Sequence, residues 1–123
     1  MMMEMRKFDG ARLAEDNGLD ATRLMPWPAL NAPFEGSWCI VRPGTESGMH
    51  GHHEYEIWIA MTGVAEIVCE GRRTPFVAGD IVHFPPQVVH QVVNDGDEDF
   101  SMYAVWWDAD LAAQFSARHL SEA

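Results

Sequence analysis

The chain has 123 residues, enough to bury one core and fill one domain. Hydrophobic residues make up 47% and charged residues 22%, which excludes a disordered chain for the body of the sequence. Nineteen acidic against eight basic residues give a net charge of -11, and such a surface repels phosphate backbones and anionic lipid headgroups, so no nucleic acid and no membrane is expected as a partner.

Residues 1–36 read as an irregular N-terminal arm. The start, Met1 to Lys7, lacks the apolar core and small-residue cleavage site of a secretory signal, and no later run approaches the length of a membrane span. A cytoplasmic protein is expected. Met25-Pro26-Trp27-Pro28 cannot lie inside a helix, because two prolines remove donors and restrict their neighbours. It reads as extended chain, with Trp27, Leu30 and Phe34 available to cover a sheet edge or a partner subunit.

From residue 37 the sequence becomes strand-like. Short β-branched and aromatic runs predict strands near 37–42, 55–61, 64–69, 72–76, 81–84, 89–94 and 100–107. Turn signals separate them at Thr62-Gly63, Glu70-Gly71, Ala78-Gly79-Asp80 and Asn94-Asp95-Gly96. This spacing predicts an antiparallel sandwich or barrel over 37–107. In the tail, 108–123, Asp108 is placed to cap a helix from about 109 to 119, with Leu111, Phe115 and Arg118 or His119 along one face. Cys39 and Cys69 each sit in an apolar run and read as two buried, reduced thiols.

The chemistry concentrates in one histidine cluster. In extended chain His50 and His52 point to one face, and Glu56 keeps their parity. His90 opens a separate predicted strand and can supply a fourth ligand. Imidazole with carboxylate suits first-row divalent ions, and three histidines with one carboxylate leave coordination positions open, as a catalytic metal needs. Glu54, Gln91 and Asn94 are nearby polar groups able to orient the ligands.

The residues around the cluster fall into a pattern. Gly44, five residues, His50-x-His52, three residues, Glu56, six residues and Gly63 resemble the first motif of the cupin superfamily. Gly79, five residues, Pro85, His90, three residues and Asn94 are similar to the second, with Gln87 standing where that motif has glycine. The resemblance implies an all-β, double-stranded β-helix jelly-roll barrel (cupin) carrying one divalent metal ion on His50, His52, Glu56 and His90. Zinc stands first, with Fe, Mn, Ni, Co or Cu as alternatives. It also implies a homodimer, because small cupins pair through edge strands or arms. A narrower likeness rests on His52-His53-Glu54-Tyr55-Glu56, on Pro85-Pro86 and on Tyr103-x-x-Trp106-Trp107. These strings resemble the cupin domains of bacterial hydrazine synthetases. That likeness implies nitrogen–nitrogen bond formation between an activated amino acid and an N-hydroxylated amine in natural-product biosynthesis, with a separate synthetase-like protein as partner.

Parity places Trp58 and Ala60 on the face of Glu56, and Val92 and Asn94 on that of His90. It leaves open which faces of 37–42 and 100–107 point inward. The catalytic residues are left open, with Arg42, His53, Trp58 and Tyr103 as candidates beside the ligands; an inward Arg42 would clamp a substrate carboxylate. Three functions follow: a metalloenzyme acting on a small-molecule substrate, a non-haem metal dioxygenase or isomerase, and a non-enzymatic ligand-binding or sensor protein.

Overall fold

The computed structural model describes residues 2–122, and the side chains of 119–122 lie outside the described residues. Ten strands form two antiparallel sheets. In chain order they are β1 (Ala14–Asp16), β2 (Leu19–Arg23), β3 (Phe34–Val41), β4 (Thr45–Glu46), β5 (Tyr55–Thr62), β6 (Val64–Cys69), β7 (Arg72–Val77), β8 (Ile81–Phe84), β9 (His90–Asn94) and β10 (Phe100–Trp107). One sheet runs β1-β2-β3-β10-β5-β8 and the other β4-β9-β6-β7. The sheets are not joined by ladder hydrogen bonds. They enclose one core, to which Val41, Trp58, Phe84, Phe100 and Met102 come from the first sheet and Ile67, Phe76 and Val92 from the second. This is the all-β jelly-roll expected from the sequence. Among the described residues, no helix is long and apolar enough to cross a membrane.

The seven predicted strands all form, with ends within three residues of the expectation. Their turns obey backbone chemistry: Glu70 (φ 53°) and Gly71 (φ 74°) both take the left-handed conformation that a tight hairpin between β6 and β7 requires. Beyond residue 107, Asp108 Oδ1 accepts from the Asp110 and Leu111 amides at 2.8 and 3.3 Å and caps helix α1 (Ala109–Glu122). The helix runs three residues further than expected. Leu111 and Phe115 are exposed and do not enter the core; the alternative face residue His119 has its side chain among those not described.

The arm differs from expectation. Residues 14–23 are not irregular: β1 and β2 form a hairpin, and β2 pairs with β3 from Asp20 opposite Ile40 to Arg23 opposite Ser37. The hairpin extends the large sheet beyond the predicted barrel boundary, and Leu19 and Ala21 are buried in the core. Trp27 is held by the N-terminal segment and lies beside Thr22, Trp38 and Tyr103 of the large sheet. Its indole donates to Glu4 at 3.0 Å, and the Arg6 guanidinium lies 4.2 Å above its ring.

Candidate metal centre

Strand alternation sets the inner wall. On β5, Glu56, Trp58 and Ala60 are buried while Ile57 and Ile59 are only half-buried. On β3 the alternating buried set is Ser37, Cys39 and Val41, with Gly36 buried beside it, and on β10 it is Phe100, Met102 and Ala104, with Trp106 following on the same face. His90 is buried on β9, its ring stacked on Phe84 at 3.8 Å and edge-on to Trp58 at 5.0 Å.

His50 lies outside the named strands but makes an antiparallel bridge with His90, each backbone N–H donating to the other's carbonyl at 3.3 and 3.0 Å. This pairing brings the first ligand to the second motif. The chain bends at 53–54 before β5 begins, so His52 and Glu56 meet across a bend and not along one strand. The His52 carbonyl is fixed by the Gln87 amide at 2.6 Å. One potential ligand atom from each of His50, His52, Glu56 and His90 lies within 4.8 Å of every other.

The donor set fits a cation. The Glu56 carboxylate is about 5% exposed. Burial would raise its pKa, but hydrogen bonding and charge from His90, with smaller help from Trp58 and His52, overrule burial and hold it below the ordinary value. It is therefore a buried anion at neutral pH. His90 Nδ1 lies 2.8 Å from the Val88 carbonyl, which only accepts, so Nδ1 donates and Nε2 is left to face the carboxylate. That Nε2 stands 2.8 Å from Glu56 Oε1, and His52 Nε2 stands 3.4 Å from the same oxygen. The shorter of these contacts is the hydrogen bond that holds Glu56 down, and a bound cation would take the place of its proton. Burial, then the neighbouring His90, press His50 below its ordinary value despite the opposing Gly48 carbonyl, so it is neutral, the form that ligates. His52 Nδ1 is buried without a hydrogen-bond partner, the only such side-chain atom among the described residues.

Three of the four candidate ligands, His50, His52 and Glu56, line a cavity of about 390 Å³. Its wall is largely apolar, from Leu19, Ala21, Trp58, Met102, Ala104 and Trp106, and Asp16, Arg23 and Glu54 bring charge to its rim. Arg23 pairs with Asp16 at 3.2 Å and lies 5.3 Å over the Trp106 ring. A volume of this size suits a small metabolite.

Of the four candidate catalytic residues, only Trp58 lines the cavity. Arg42 is exposed at the end of β3 and bonds Asp20 at 2.9 Å and Asp99 at 2.8 Å, so it is committed to tying surface elements together. Tyr103 points to the outer face, edge-on to Trp38 at 5.0 Å. His53 is exposed on the bend and outside the ligand group. The polar groups expected to orient the ligands act elsewhere. Gln91 donates to the Ser47 carbonyl at 2.8 Å, and Asn94, fully buried, braces the turn after β9 through Val41, Glu98 and Gly96. Glu54 lines the cavity. The sequence reading missed Asn17, Leu19, Ala21 and Arg23, all from the N-terminal hairpin. The dipeptide Asn17-Gly18 was the available signal, being a strong two-residue hairpin turn.

Comparison with known proteins agrees with this geometry. The chain aligns over 97% of its length with all of a Cupin 2 conserved barrel domain protein from Salinispora arenicola, at 64% identity and a TM-score of 0.86. The plu4264 protein from Photorhabdus luminescens covers 95% of this chain and is itself covered over 98%, at 40% identity and a TM-score of 0.84. A mannose-1-phosphate guanylyltransferase from Sinorhizobium fredii is 32% identical over 92 residues, 70% of this chain, which spans only 17% of that relative's length. The Cupin_2 cupin-domain model matches residues 37–106, more than half of the sequence, and with both motifs in place around one ligand group the chain belongs to the cupin family.

Proposed function

We propose that this cupin is a metal-dependent enzyme acting on a small molecule in the barrel cavity. The observation that carries the reading is a three-histidine, one-carboxylate group, buried at Glu56 and His90 and half-buried at His50 and His52, set against a largely apolar cavity. A structural metal site is closed by its protein ligands, whereas this one faces a space for substrate. When bound, a divalent ion supplies Lewis-acid polarisation and a template for reacting groups. The chain's own residues do the rest. His90 and Glu56 are fixed by packing and hydrogen bonds, so the ligand geometry is set in advance. Trp58, Met102 and Ala104 keep water from the ligand side of the cavity, and the Arg23–Asp16 pair with Glu54 offers both charge signs to a polar substrate at the rim.

Zinc is the ion this reading assigns. Its finer form is nitrogen–nitrogen bond formation between an activated amino acid and an N-hydroxylated amine, with a separate synthetase-like protein providing the activated partner. It is supported by the strings shared with hydrazine-synthetase cupin domains; of their residues His52, Glu54, Glu56 and Trp106 face the cavity. A cytoplasmic setting belongs to the same reading and is supported by the two unbridged thiols. Metal analysis joined to oxygen uptake in the presence of amino acids and N-hydroxylated amines tests it. Zinc with no oxygen consumption is expected. Iron or manganese with substrate-dependent oxygen uptake would replace this reading with a dioxygenase.

We also propose a homodimer formed through the outer face of the large sheet. Ile81 is 66% exposed there, Phe34 and Leu111 are exposed, and Tyr55 stacks between His83 and Trp107. Phe34, Tyr55, His83 and Trp107 border, together with α1, an apolar groove of about 660 Å³, and Ile81 lies on the same strand as His83.

A further inference from the structure

The β1–β2 turn touches the metal centre. Asn17 and Gly18 form this turn with φ values of 53° and 84°, and the Gly18 amide donates to Glu15 Oε1 at 2.8 Å. The turn is docked on the loop that carries the first histidine. The Gly48 amide donates to the Asn17 carbonyl at 3.0 Å, and the Asn17 side-chain amide reaches the Gly48 carbonyl at 3.4 Å. The approach is close enough that a Cβ on Gly18 would meet the Glu46 carbonyl oxygen at 2.8 Å. From this position the Asn17 side-chain nitrogen stands 2.9 Å from His50 Nδ1.

We infer that Asn17 is a positioning residue for the metal ligand His50, so that the N-terminal hairpin is a working part of the metal centre. The inference rests on the metal reading above. His50 comes from a loop held by one isolated bridge, so its ring needs orientation from outside its own element. A ligating imidazole works through one nitrogen while its other nitrogen is fixed by a partner. His90 has the Val88 carbonyl for this purpose at 2.8 Å. For His50 the Gly48 carbonyl is distant at 3.4 Å, and Asn17 is the near neighbour. A primary amide suits the task because it offers a donor and an acceptor. With Nε2 as the ligand atom, Nδ1 would carry the proton, and the amide turned half over would accept it through Oδ1 in exchange for its 3.4 Å bond to the Gly48 carbonyl. Asn also tolerates the left-handed turn conformation, so one residue serves both the hairpin and the ligand.

The test compares wild type with N17G and N17D. Glycine keeps the turn and deletes the amide; aspartate keeps an acceptor for Nδ1–H. Zinc alone is titrated into each metal-stripped protein against a chromophoric chelator. The expected result is about a tenfold or greater loss of zinc affinity in N17G, with N17D staying within about threefold of wild type. The nitrogen shifts of the His50 ring in the zinc-loaded proteins should show one fixed tautomer in wild type and N17D and a changed Nδ1 signal in N17G. Thermal unfolding of the metal-free proteins reports any loss of the turn itself. N17G binding zinc as wild type does, or N17D losing as much affinity as N17G, would overturn the inference while leaving the metal centre in place. Wild type failing to bind zinc would instead overturn the reading beneath it.

Discussion

At the scale of residues, burial decides which chemistry each group keeps. Cys39 lines the metal cavity and is only 8% exposed, and burial pushes its thiol up to about 11 despite a hydrogen bond with Ser37. The folded value lies above the unfolded one of 9.0. Stability from keeping this thiol protonated is therefore fully present below pH 9 and is lost as pH rises toward 11, worth on the order of 2–3 kcal/mol across that window. Urea unfolding at rising pH should show this alkaline loss in wild type and a shallower one in C39A. Cys69, half-buried and not fully buried as expected, should be alkylated before Cys39 in the native protein. The candidate ligand histidines were legible in the sequence because their spacing follows a motif; parity alone did not carry them, since the chain bends between His52 and Glu56. Arg42 and Tyr103 were not, because parity divides a strand into two faces without saying which is inside. The buried Ser37, Cys39 and Val41 settle that question for β3 and put Trp38 and Ile40 outside.

Among elements, the connection between β8 and β9 shows how the fold holds a ligand segment. Gln87 stands where cupins have glycine, and it takes φ 70°, the conformation glycine would adopt without cost. The expected turn is thus retained, with a side chain strained to fit it. Its backbone N–H holds the His52 carbonyl, which makes this turn part of the candidate metal site's frame. Replacing Gln87 by glycine should stabilise the protein by about 0.5–1 kcal/mol, since left-handed backbone costs a non-glycine residue roughly 1–2 kcal/mol and glycine gives part of this back in unfolded-state entropy. A higher urea midpoint at unchanged slope would show it; a lower midpoint would contradict it. The N-terminal hairpin escaped the sequence reading for a different reason. Its strands have three and five residues, too short for a periodic signal, and they fold because β3 offers an edge and the core takes Leu19 and Ala21.

Over the whole molecule, the two-sheet architecture was legible because seven short strands and their turns alternate regularly along the chain. What was illegible is how surface residues assemble. The acidic chain spends Arg42 and Arg73 on two carboxylates each, while one outer sheet face stays apolar. Light scattering at micromolar concentration should give the mass of two chains, with Ile81→Lys shifting it to one; a wild-type monomer would contradict the proposed dimer. The metal centre joins these scales, since its ligands come from a bridged loop, a bend, β5 and β9 and meet only in the finished barrel. The most direct test is elemental analysis of the purified, metal-reconstituted protein beside its H90A variant. The account predicts one divalent ion per chain in wild type and its loss in a folded H90A protein. A wild-type protein that retains no ion, or an H90A protein that retains it in full, would contradict the central claim.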